Sequence, residues 1–120
     1  MNPTQFLSMS KAMAYLGDAA SAQQLLGTLK ATLEVDTPQI GDAIASENFE
    51  TLQKILHQLK GFAPIFCEDA LVSEIISTES LCKHIDSAAH QATALSACTQ
   101  LLANLESLLL EVSAQLQPSA

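Results

Sequence analysis

The sequence predicts an all-α protein, an antiparallel up-down-up-down four-helix bundle with an additional helix at its N-terminus. Apolar residues recur at three- and four-residue spacing along nearly the whole chain, the signature of helices with one buried face. The composition agrees: no Trp, one Tyr and four Phe stand in 120 residues, among many Ala, Leu, Gln and Ser, so helix formers outweigh strand formers. The polar breaks between stripes are short, and short links make successive helices antiparallel neighbours. Residues 1–120 suit a single helical domain, and a chain of this size buries about two-thirds of its unfolded surface.

Thr4 can cap a first helix running to about Leu16, with Phe6, Leu7, Met9, Met13 and Leu16 on one side and Gly17-Asp18 as its stop. A second begins near Asp18 and carries Ala22, Leu25, Leu26, Leu29, Leu33, Ile40, Ala43 and Ile44 at helical spacing. Pro38 removes the donor to the Glu34 carbonyl, so a kink near Asp36-Thr37 is expected. The apolar phase continues from Leu33 to Ile40, which favours one kinked helix, although Asp36-Thr37-Pro38 also reads as a helix start. Ser46-Glu47-Asn48 links to a third helix, about Asn48 to Phe66, whose stripe is Phe49, Leu52, Leu56, Leu59 and Ala63, flanked by Ile55, Phe62 and Phe66. It loses definition between Pro64 and Asp69. A fourth helix, about Glu68 to Ile85, turns Leu71, Val72, Ile75, Ile76, Cys82 and Ile85 inward, and Glu79 falls inside that stripe. An inward carboxylate needs a donor, so either Glu79 is partnered or the helix is rotated. The last helix, about Ala88 to Leu116, has the most regular stripe, and Gln117 to Ala120 read as a frayed end.

A formal charge of −8 argues against a nucleic-acid backbone or an anionic membrane as partner, since both would repel the chain. All five cations are lysines, and Lys54 and Lys60 flank His57 as a small basic patch suited to an acidic partner pocket. Cys67, Cys82 and Cys98 are widely spaced and odd in number, which fits a reducing compartment better than a disulfide framework. No apolar run approaches membrane-spanning length and no signal-peptide pattern opens the chain, so a soluble, cytoplasmic, monomeric protein is expected. His84, His90 and Cys82 match no common zinc spacing. No Glu-x-x-His pair marks a di-iron bundle, and no Gly-rich loop is present to cradle a nucleotide. Neither metal nor cofactor is expected.

The feature left is His57. At about 100° per residue it points roughly 160° from the centre of its helix's apolar stripe, on a solvent ridge with Gln53, Lys60, Gly61 and Pro64. A glycine inside a helix costs on the order of 1 kcal/mol relative to alanine, so Gly61 asks for a reason, and clearance beside the ring supplies one. Gln53 and Gln58 flank the ring, either touching a partner or merely solvated. A lone exposed histidine is ordinarily just a surface residue. The Lys and Gly beside this one are what lift it above that.

The run His57-Gln58-Leu59-Lys60-Gly61 resembles the His-x-x-Lys-Gly signature of histidine-containing phosphotransfer (HPt) domains, four-helix modules that relay phosphoryl groups in two-component signalling. The hydrophobic pattern before the histidine, Leu71 and Glu79 also fit that family, and the pattern runs from about Gln24 to Leu109. Small or glycine residues commonly stand seven and ten positions after the family's histidine, where this chain has Pro64 and Cys67. The resemblance implies that His57 accepts a phosphoryl group from a response-regulator receiver domain, or from the receiver of a hybrid histidine kinase, and passes it to another receiver. It also implies that Lys60 balances charge on the phosphoryl oxygens and that Glu79 accepts a hydrogen bond from the other ring nitrogen, with a solvated or Lys-paired Glu79 as the alternative. Such a protein is a phosphohistidine carrier rather than an autonomous kinase, and Mg²⁺ belongs to the receiver. The alternative is a non-catalytic helical module that docks a receiver without transfer.

Overall fold

A computed structural model of the chain describes residues 5–116, which are helical apart from short connections. In order they form α1 (Met9–Leu16), α2 (Ala19–Ser46), α3 (Phe49–Phe66), α4 (Asp69–Lys83) and α5 (Ala88–Leu116). The first three starts have a local cause. The side chains of Ser8, Asp18 and Asn48 accept from the backbone N–H of Lys11, Ser21 and Thr51, satisfying donors that the first helical turn leaves unpaired. Two helices stop in the left-handed region: α1 at Gly17 with φ 86° and α2 at Glu47 with φ 55°. A glycine takes that conformation freely, whereas Glu47 takes it against a Cβ clash.

The N-terminal segment corrects the expectation of a helix from Thr4. The helix begins at Met9 under Ser8, and Thr4 lies outside the described residues, as does the expected frayed end at 117–120. Phe6 and Leu7 are extended instead. Leu7 bridges Cys67 in antiparallel fashion, Glu68 N–H donates to the Phe6 carbonyl at 2.8 Å, and Ser8 N–H donates to Phe66. The backbone N–H groups of Gln5, Phe6 and Leu7 all donate to the Glu111 carboxylate of α5. This extended path wins because it pairs those backbone groups and buries Leu7 completely. Met13, expected inward, is exposed.

α2 is one helix through Pro38, and the proline sits on its exposed side. Beside it the Thr37 hydroxyl donates to the Leu33 carbonyl at 2.8 Å, a bond that keeps a buried hydroxyl satisfied. α3 likewise runs through Pro64, also on a solvent face, to Phe66, and Cys67 N–H closes it on the Ala63 carbonyl. α4 stops at Lys83, short of Ile85.

α2 packs against α3 and α5, and α4 packs against the same two helices, while α1 covers α2 and α3 at one end. The buried stripes, among them Leu33 and Ile40, Leu52, Leu56 and Leu59, Leu71 and Ile75, and Leu101 and Leu105, merge into one core. Asp36 is buried beside them, and burial raises its carboxyl above the ordinary aspartate range. The long axis is 49 Å, close to the length of about 43 Å that a helix of α5's size spans at 1.5 Å per residue. No helix among the described residues is long and apolar enough to cross a membrane.

Candidate functional site

The azimuth of α3 is set by Leu52, Leu56, Leu59 and Ala63, all buried at 2% exposure or less. With that face inward His57 must turn outward, and its side chain is 65% exposed. α4 is fixed in the same way by Leu71, Ile75 and Cys82, which carries Glu79 to the boundary between the core and α3, where its side chain keeps 6% exposure. The inward carboxylate therefore has partners. Its Oε2 lies 3.1 Å from His57 Nδ1, its Oε1 accepts from Lys60 Nζ at 2.7 Å, and Gln53 Nε2 approaches Oε2 at 3.5 Å. Gln53, His57 and Lys60 stand at successive helical turns, so three donors on one stripe of α3 converge on one carboxylate of α4.

The charge state follows from the contacts. The Lys60 hydrogen bond is the largest influence and, with those from His57 and Gln53, outweighs burial, so the Glu79 carboxyl is drawn down to about 2. An ionised carboxylate can only accept, so the proton of a neutral His57 ring sits on Nδ1. The lone pair is then on Nε2, away from Glu79. The arrangement fixes one tautomer and presents one nucleophilic nitrogen to solvent.

The structure thus brings together Gln53, His57, Lys60 and Glu79. Gln58, Gly61 and Pro64 are exposed on the outer side of α3 and do not join the carboxylate. A Cβ built on Gly61 would meet nothing within 4 Å, so no internal contact demands a glycine there. The expected basic patch is neutralised within the protein: Lys60 is held by Glu79, and Lys54 pairs with Glu50 at 3.5 Å. The sequence left a lysine partner for Glu79 open without naming it, and that the partner is Lys60 was not foreseen.

Elsewhere His84 Nδ1 lies 3.0 Å from the Ser80 carbonyl, and His90 pairs with Asp86 one turn away. No three His, Cys, Asp or Glu side chains gather to hold a metal among the described residues. A second unforeseen contact joins the sulfurs of Cys82 and Cys98, 3.4 Å apart between α4 and α5. Comparison with family models, with curated proteins and with solved structures finds no match for this chain.

Proposed function

We propose that this chain is a histidine phosphotransfer protein, carrying a phosphoryl group on His57 between receiver-domain aspartates. The observation that carries the reading is the buried, ionised Glu79 holding Nδ1–H of an exposed imidazole. In the transfer, the Nε2 lone pair attacks the phosphorus of an aspartyl phosphate, the N–P bond forms as the P–O bond breaks, and the aspartate carboxylate leaves. Positive charge that grows on the ring is stabilised by Glu79, which is already in place and needs no reorganisation. Lys60 holds Glu79 ionised, and its side chain, 35% exposed, stands one helical turn from the ring.

The neighbour relations of α2 to α5, each touching two of the others around a shared core, support a four-helix bundle, and the short 47–48 and 67–68 links support antiparallel directions. On this reading the protein works as a monomer in the cytoplasm, its partner is a response-regulator receiver domain or the receiver of a hybrid kinase, and the receiver supplies Mg²⁺. A docking module without transfer is the second reading, and the pairing of both nearby lysines favours it, since neither leaves a free cation at the ring. Incubation with a phosphorylated receiver decides between them. Transfer predicts an acid-labile phosphoramidate on the wild type that His57→Gln abolishes. Binding of the receiver without label supports the docking module, and equal labelling of the variant would rule out His57.

A further inference from the structure

Cys82 and Cys98 lie sixteen residues apart in sequence, on different helices, with their sulfurs 3.4 Å apart in the core. Cys82 keeps 6% exposure in the last turn of α4, next to the non-helical loop at 84–87, whereas Cys98 keeps 1%. A disulfide needs about 2.0 Å between sulfurs, so closing the pair asks for a movement of a little over 1 Å. Glu79 stands on the same helix one turn before Cys82, near enough for its charge to oppose ionisation of that thiol. The contacts that Glu79 makes across to α3, at 2.7 and 3.1 Å, are lost once a shift of that size takes them past about 3.5 Å.

We propose that Cys82 and Cys98 form a redox-active dithiol, which a hydroperoxide closes into a disulfide between α4 and α5, and that closure draws Glu79 away from His57. Cys82 is the attacking sulfur. Its thiol gives up a proton, the thiolate displaces hydroxide from hydrogen peroxide to give a sulfenic acid, and the hydroxide takes up that proton as water; the Cys98 sulfur then attacks the sulfenic sulfur, and the displaced hydroxide leaves with the Cys98 proton as a second water. Two thiols and one peroxide thereby become one disulfide and two waters, with two electrons passing to the peroxide. A dithiol reductant reverses the step by exchange. Cys82 is the less buried sulfur and lies at the end of its helix, so a peroxide reaches it before Cys98, which matches attacking and resolving roles. Cys67 is the internal contrast, a buried thiol pushed up to about 12 by burial.

The test takes the folded wild type through a hydrogen peroxide titration, followed by alkylation in denaturant and peptide mapping. The expected product has lost two hydrogens, links the Cys82 and Cys98 peptides, and leaves Cys67 alkylated. Cys82→Ser and Cys98→Ser should each abolish the linked peptide, and Cys67→Ser should not. In parallel, ¹⁵N spectra of the His57 ring should show a strong Nδ1–H tautomer preference in the reduced protein, a weaker one after oxidation, and recovery with dithiothreitol. Absence of the linked peptide in the wild type overturns the dithiol, and a linked peptide with an unchanged His57 spectrum overturns the coupling. Both readouts are independent of phosphate, so they stand or fall apart from the transfer reading.

Discussion

At Glu79 the ionised form is favoured in the folded chain, and the sign of its pH dependence follows. A carboxyl near 4.5 when unfolded and drawn to about 2 when folded contributes stability above the first value, which drains away as pH falls toward the second. Glu79→Gln should therefore lower the melting temperature at pH 6, and the gap to wild type should close between about 4.5 and about 2. A gap that stays constant across that window would assign the acid limb to another group. Lys60→Ala belongs to the same series. From the helical wheel alone, Lys60 is a surface cation whose loss costs less than about 0.5 kcal/mol. Paired with a buried carboxylate it should cost about 1–3 kcal/mol by urea titration, because its removal leaves Glu79 short of its principal donor. The outward histidine and the inward carboxylate were both legible as wheel positions. Their meeting was implied by the family resemblance alone, because a wheel gives the direction of a side chain on its own helix but not the height at which a neighbour stands beside it.

Among the elements, α3 has the instructive glycine. Gly61 is helical, and open space surrounds the position of an added Cβ, so alanine fits without displacing anything. Gly61→Ala should raise stability by up to about 1 kcal/mol through helix propensity. On the transfer reading it should also slow labelling by a phosphorylated receiver several-fold while leaving labelling by phosphoramidate, a donor too small to sense a methyl group, unchanged. Equal slowing with both donors would show that the methyl acts on the ring rather than on the partner. The stripes that defined α2, α3 and α5 were readable because each is long and polar on its outer face. The start of α1 was not, since Thr4 and Ser8 are both acceptable caps and only tertiary pairing with Cys67 and Glu111 separates them. The cysteine pair escaped for a related reason. A simple hairpin about the 84–87 loop would set Cys82 level with a residue near the start of α5, whereas Cys98 lies almost three turns in.

Across the whole molecule, the segment at 5–8 joins α5 to the turn between α3 and α4. Glu111→Gln keeps the shape of the side chain but leaves three backbone N–H groups facing a weaker, uncharged acceptor. Amide hydrogen exchange at Phe6 and Leu7 should accelerate by an order of magnitude or more, with little change at the centre of α5, as expected for local rather than global opening. Unaltered protection at Phe6 and Leu7 would mean that the bridge to Cys67 alone holds the segment. That clasp also gives the chain a nearly circular path, for it brings residue 5 against the last two turns of α5. His57 stands about 14 Å from the Phe66 end of its helix, taking 1.5 Å per residue. A linker closing the path there, with new ends cut into the loop at 84–87, would reorder the helices along the chain while leaving every helix neighbour in place.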